Sequence, residues 1–305
     1  MSLYPADGDH KMAKPIKTYY YNPNNMGDLL NELLIPKITS RSIEQCLNPM
    51  RFDLMGIGSC GSSVWANRFA KPSLAERSKD CIKIVGGKLN HKPCAVWGTG
   101  FIRDYTDRNL ILIRNNISFI AVRGALSKNI IEKSLGSSID PVLCDGGILA
   151  SELISEPINK RYRIGFIPHF KEHRIASEIG LIQLLDQMDD AIMIDLRNEP
   201  ISVIKQIAGC EYIVSSSLHG CIVADSFHIP NIRVRISDIP GSGFKFDDYY
   251  SGFGIECPAL IIKDASDFPD PRIIKDKYQI DAQAVEKKKE DMAKCLKRFI
   301  VENEL

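Results

Sequence analysis

The sequence predicts an α/β protein whose parallel sheets are covered by helices on both faces. Two observations carry this. Short apolar, β-type runs alternate with helical patterns almost from end to end of the 305 residues. The apolar runs also end repeatedly in glycine and small polar residues, as strand-to-helix turns do.

In chain order, the expected strands are Ile16–Tyr21, Phe52–Ile57, Cys81–Val85, Cys94–Trp97 and Ile117–Val122, then Arg163–Ile167, Ala191–Asp195, Tyr212–Ser215 and Asn231–Ile236. Each is a short, mainly apolar run bounded by polar residues or glycine. The helices expected between them are Asp28–Ile38, Ala125–Leu135, Ile175–Met188, Ile201–Ala208 and Leu218–His228. A chain this long exceeds the size at which one hydrophobic core usually stops growing. The polar, proline-containing stretch Ser155–Arg161 is the best boundary, because the strand pattern restarts just after it. Two Rossmann-like domains are therefore expected, at 15–154 and 160–270, followed by a C-terminal helix within 275–305. That tail, Asp281 to Leu305, aligns Val285, Met292, Leu296 and Phe299 on one helical face. No internal repeat is visible.

Composition narrows the function classes. A net charge of +1 gives no electrostatic case for nucleic acid, and the Lys287–Lys289 run alternates with acids on a solvated helix face. The nine cysteines are dispersed and form no C-x-x-C pair, which fits a reduced cytoplasmic protein without a zinc ribbon. Residues 1–14 lack an apolar signal core and are expected to be disordered. No apolar stretch is long enough to span a bilayer, although peripheral membrane contact stays open. The oligomeric state is not legible.

In doubly wound folds, ligands bind outside the C-terminal ends of the strands. The residues at those ends are Asn25, Gly27 and Asp28; Gly98, Thr99 and Gly100; Arg123; Asp145 with Gly146–Gly147; Pro168–His169; and Ser215–Ser216–Ser217 before Leu218–His219. The last group matters most. A serine-rich turn opening a helix offers hydroxyls and unpaired amides to an anion, and His219 adds a group that moves protons near neutral pH. Arg123 at a strand end would point its fork into the cleft, or else form an ion pair. Asp28 serves equally as a helix-start acid or as a ligand contact. Lys245 lies in a glycine- and aromatic-rich segment, Gly241 to Tyr250, read as a loop that closes over a ligand or anchors to the surface. His169 and His173 are spaced for a metal pair, but no third ligand is evident and none is assigned. Gly56-x-Gly58-x-x-Gly61 formally matches a dinucleotide turn yet lacks a clear acidic partner.

Taken in order, these pieces resemble the polysaccharide pyruvyl transferase family. The resemblance rests on Asn25-x-Gly27-Asp28, Trp97–Phe101, Val122-Arg123-Gly124, Asp140-Pro141, Ile167-Pro168-His169, Ser215–Gly220 with Ala224-Asp225, and Lys245-Phe246 before Asp248–Tyr250. It implies a GT-B-like arrangement, with the ligand cleft between two Rossmann-like domains, acceptor on the first and donor on the second. It also implies transfer of pyruvate from phosphoenolpyruvate onto sugar hydroxyls, giving a ketal. His219 maps to the family's histidine. Many members carry arginine where this chain has Ser217, so the cation for the donor must come from elsewhere.

The chemistry suits the residues. Protonation of the phosphoenolpyruvate methylene makes an oxocarbenium-like centre, a hydroxyl attacks, and phosphate leaves. His219 would move the proton, Arg123 and Lys245 would hold donor anions, and Ser215–Ser217 would cradle phosphate. Phosphoenolpyruvate enters as co-substrate, with no cofactor or metal required, and the acceptor saccharide is lipid- or nucleotide-linked. The rival readings are a GT-B-type nucleotide-sugar glycosyltransferase or epimerase, and a silent binding protein that keeps the fold.

Overall fold

The computed structural model describes residues 14–21, 25–67, 74–238 and 241–305. The polar N-terminal residues expected to be disordered fall, up to residue 13, outside the described part.

Two five-stranded sheets dominate, and every pairing within them is parallel. The first runs Ile43–Gln45, Ile16–Tyr19, Leu54–Met55, Cys94–Val96, Ile117–Phe119 in space. The second runs Ala191–Met193, Tyr162–Ile167, Cys210–Ser215, Asn231–Arg235, Leu260–Ile261. Counted within its own sheet, each has the strand order 2-1-3-4-5. That is a doubly wound order whose direction reverses between strands 1 and 3, leaving a crevice at their C-terminal ends. The similarity of the two halves is one of topology, which a search for repeated residues does not reveal.

Burial explains why these runs become strands. Ile164 to Ile167 and Ile213 to Ser215 are buried throughout, as expected for strands covered on both faces. One apolar cluster joins residues of both sheets, among them Ile16, Leu54, Ala95, Ile167 and Ile213. Two further clusters cover the other faces of the first and second sheets. Helix Leu218–Ser226 packs on the 3-10 turn Gly146–Leu153, and that turn packs on helix Met26–Thr39. The amide of Met26 also donates to the carbonyl of Leu196 at 2.9 Å, tying the first crevice to the second.

The tail folds as helix Ala282–Glu302. Asp281 caps it through a 2.9 Å bond from the Ala284 amide, and Val285, Met292, Leu296 and Phe299 are buried in the shared cluster. Trp97 Nε1 donates to the carbonyl of Met292 at 3.0 Å, fixing the helix against the first half.

Several expectations are corrected. Cys81–Val85 belongs to helix Leu74–Lys88, with Ile82 and Val85 exposed rather than inside a sheet. A five-residue apolar run fits either period, and its flanks of charged helix formers decide the outcome. The single helix expected at Ile175–Met188 is two, His173–Glu178 and Leu181–Asp186, because Gly180 takes a left-handed conformation (φ 80°) between them. Ile117–Val122 divides into Ile117–Phe119 and Ala121–Val122, the second piece pairing with Val142–Leu143. The segment around Lys245 is helix Ser242–Ser251, not a loop. The short strands Ile43–Gln45, Trp65–Asn67, Leu110–Leu112 and Leu260–Ile261 have no counterpart in the sequence reading.

Candidate active site

The crevice of the second sheet is formed by the ends of Tyr162–Ile167 and Cys210–Ser215, hence by His169 and by Ser216 to His219. That of the first sheet is formed by the ends of Ile16–Tyr19 and Leu54–Met55, hence by Asn25 to Asp28 and by Gly56 to Ser59. The two meet at His219. A methyl group placed on Gly27 would lie 1.9 Å from His219 Nδ1, so the imidazole rests directly on the Gly27 backbone. Glycine is required there because any side chain would occupy the space of the ring. Asn25 prepares this contact by capping helix Met26–Thr39, its side chain accepting from the Gly27 amide at 3.1 Å.

His219 stands in the first turn of helix Leu218–Ser226, with Ser217 in the extended cap position. Its ring is largely buried, and Nε2 has no hydrogen-bond partner among the described residues. Burial first, then Lys245, Arg123 and His169, push its pKa down to about 3, so the ring is neutral at pH 7. His169 is likewise lowered to about 4, by burial and then by Lys245 and Lys171. Lys245 is lowered to about 8, by burial and then chiefly by Arg123, with Asp28 pulling the other way. These mutual effects place His219, His169, Lys245, Arg123 and Asp28 within one electrostatic neighbourhood. It brings two cations, Lys245 and Arg123, together with Asp28 and with the Asp248 that pairs Arg123.

Arg123 is held differently from the expectation of a cleft-pointing fork. Its side chain is buried; Nε donates to Asp248 Oδ2 at 2.9 Å, Nη1 to Ser59 Oγ at 3.0 Å, and Nη2 to the carbonyl of Phe101. Asp248 is completed by the Ser127 amide at 2.7 Å and the Ser127 hydroxyl at 2.6 Å. Arg123 therefore acts on the crevice through its field. Lys245 forms no hydrogen bond or ion pair with the described residues, which leaves its ammonium available to a ligand.

The serines divide as well. Ser215 Oγ donates within the turn, to Ile167 O at 3.1 Å and Ser217 O at 2.8 Å, and accepts from the Ser217 amide at 3.0 Å. Ser216 Oγ accepts from the His169 amide at 2.9 Å and donates to the buried Glu172. Both hydroxyls build the turn. Ser217 makes no side-chain capping bond, and beside it lie the first-turn amides that a helix leaves unpaired. Thr99 is structural too, its hydroxyl joining Gly58 O at 2.9 Å to the Cys60 amide at 3.0 Å. Gly98, with φ 75°, has no room for a side chain, since a methyl group there would lie 2.6 Å from the Gly146 amide nitrogen, and Gly100 gives similar room to Arg123 and Asp248. His173 turns away from His169, lying 3.5 Å from Asp195. Among the described residues, no three His, Cys, Asp or Glu side chains gather as a metal cluster.

Sequence reasoning missed Asp248, Glu172 and the relation of Asp145 to His219. An acid fixing a buried arginine from 125 positions away leaves no local signal. Asp145 before two glycines stands in the sequence only as one polar strand end among several, and in the structure it caps the turn Gly146–Leu153.

Fold and site together define a doubly wound α/β protein with a buried histidine, a lysine and a paired arginine at its crevices. The chain belongs to the polysaccharide pyruvyl transferase family, whose model matches residues 8–238. It is 29% identical over 210 residues to the succinoglycan biosynthesis protein ExoV of Rhizobium meliloti (strain 1021), covering 63% of this chain and 60% of that protein. It is also 30% identical over 177 residues to an uncharacterized protein of Acanthamoeba polyphaga mimivirus, covering 55% of this chain and 57% of the relative. The matches thus span about three fifths of either relative's length. No helix among the described residues is long and apolar enough to cross a membrane.

Proposed function

We propose that the chain is a ketal pyruvyl transferase, moving pyruvate from phosphoenolpyruvate onto two hydroxyls of a sugar during exopolysaccharide or cell-surface glycan biosynthesis. The observation that carries this reading is the meeting of His219 with Lys245, His169 and the field of Arg123 at the crevices of a chain of this family. In this reading, residues 15–154 and 160–270 act as two Rossmann-like domains in a GT-B-like arrangement, acceptor on the first and donor on the second. The reaction runs in the cytoplasm, without a cofactor beyond the donor, on a lipid- or nucleotide-linked saccharide.

Lys245 and the first-turn amides beside Ser217 hold the donor's phosphate or carboxylate. Lys245 supplies the charge for which many members use arginine at the position of Ser217. His219 is neutral before the donor arrives and cannot donate a proton at pH 7. The donor's negative charges offset Lys245 and Arg123, raise the imidazole's pKa and bring its proton transfer into range. A sugar hydroxyl adds to C2 of the donor while its methylene takes a proton, the C2–O bond to phosphate breaks, and the second hydroxyl closes the ketal. Summed over both steps, one hydroxyl proton ends on the new methyl group and the other on phosphate.

The test incubates the protein with phosphoenolpyruvate or nucleotide sugars, follows melting temperature, and then assays phosphate release with saccharide acceptors. Stabilisation by phosphoenolpyruvate is expected, because a ligand that binds the folded state raises the melting temperature. Release should vanish in His219→Ala, whose melting temperature stays near that of the wild type. Stabilisation by nucleotide sugars alone would instead assign a glycosyltransferase or epimerase.

A further inference from the structure

Asp145 is buried, and its Oδ1 accepts from the Gly147 amide at 2.9 Å. Among the described residues its Oδ2 has no hydrogen-bond partner, and neither has the buried Nε2 of His219. The two side chains face one another, with Nε2 4.0 Å from Oδ1. Unpaired buried polar atoms are uncommon and cost stability, so two on neighbouring side chains call for a reason. Capping does not supply one. Asparagine or serine would cap the turn as well as aspartate, without the desolvation cost of a buried carboxyl.

The surroundings restrict what this pair can do. Asp145 is pushed up to about 7 by burial, against the Gly147 amide and Arg123, with Asp248 and Asp28 adding to the rise. His219 faces Lys245 from helix Ser242–Ser251, Arg123 from the first half and His169 from the neighbouring strand end. Its Nδ1 lies against Gly27. A shift of about 1 Å would turn the 4.0 Å approach into a hydrogen bond. No other carboxylate lies within 4.0 Å of His219 among the described residues.

We propose that Asp145 is the positioning residue for His219: its carboxylate holds Nε2–H, fixing the tautomer and leaving Nδ1, beside Gly27, as the nitrogen that exchanges the proton. The catalytic half of this proposal rests on the pyruvyl transfer reading; the pairing itself does not. An orienting acid raises the basicity of the imidazole and stabilises the imidazolium as it forms, offsetting the cations that otherwise keep His219 neutral.

The experiment uses the full chain labelled with [15N]histidine at pH 8, where Asp145 is ionised, with the His219 signals identified by their loss in His219→Gln. Wild type is expected to show the Nε2–H tautomer. Asp145→Asn keeps an oxygen for the Gly147 amide but removes the negative charge beside Nε2, so the preference for the Nε2–H tautomer should weaken. Asp145→Ser is the second capping variant, used if the first melts early. In the transfer assay, either variant should lose at least ~100-fold in kcat with KM little changed. An unchanged tautomer, or wild-type kcat in a folded variant, overturns the proposal. If the wild type transfers no pyruvate, the reaction reading fails while the tautomer measurement still decides the pairing.

Discussion

Replacing Gly27 by alanine separates the site's geometry from the fold's stability. The new methyl would lie 1.9 Å from His219 Nδ1, whereas carbon and nitrogen atoms in contact sit about 3.5 Å apart. The ring must therefore retreat by roughly 1.5 Å. No described residue hydrogen-bonds its Nε2 in this structure, so the retreat gives up at most the proposed contact with Asp145. Alanine also favours a helix over glycine by up to about 1 kcal/mol, and Gly27 is the second residue of helix Met26–Thr39. The two effects oppose each other, and the melting temperature should move little. Activity should not survive, because misplacing a reacting group by 1 Å already costs about 100-fold, or ~2.7 kcal/mol of barrier. The assay is phosphate release from phosphoenolpyruvate with acceptor, alongside thermal unfolding by circular dichroism. Gly27→Ala turning over at the wild-type rate would refute the claim that His219 works where the structure puts it.

Three further outcomes are expected. Asp248→Ala leaves the Arg123 guanidinium buried without its acid and should cost about 3–5 kcal/mol in urea unfolding; a loss under 1 kcal/mol would mean that Ser59 and the Phe101 carbonyl suffice. Lys245 titrates near pH 8 and is cationic below that, so kcat/KM should fall as pH rises through about 8. Lys245→Met should remove that limb of the profile and weaken donor binding, and an unaltered limb would exclude Lys245 as its source. Leu296→Ala on the tail helix should lower stability by about 2–5 kcal/mol, checked by denaturant titration, since the side chain is fully buried in the cluster shared by both sheets.

Much of the site was legible because its residues are punctuation. Asn25-x-Gly27-Asp28, Pro168-His169 and Ser215–His219 break apolar runs, and a parallel strand that ends must turn at its C-terminal edge, where these folds bind ligands. The tail helix was legible from one apolar face. Roles were harder to read. Three serines in a row suggest a phosphate cradle, yet Ser215 and Ser216 spend their hydroxyls on the turn and on Glu172, because a sharp buried turn must satisfy its own polar groups first. Arg123 suggested a ligand fork, yet Asp248 claims it.

By itself, then, the sequence determined the alternation of strands and helices, the polar strand ends and the resemblance that points to one reaction. These are local patterns, and short-range propensity and burial periodicity suffice to set them. Only the tertiary structure decided that both sheets share the order 2-1-3-4-5, that His219 lies on Gly27 from 192 positions away, that Asp145 faces His219, and that Lys245 on a helix has no ion pair among the described residues. Those facts depend on which distant backbones approach closely enough to exclude water. That is fixed by packing two sheets and a terminal helix around one apolar cluster, not by any stretch of the chain alone.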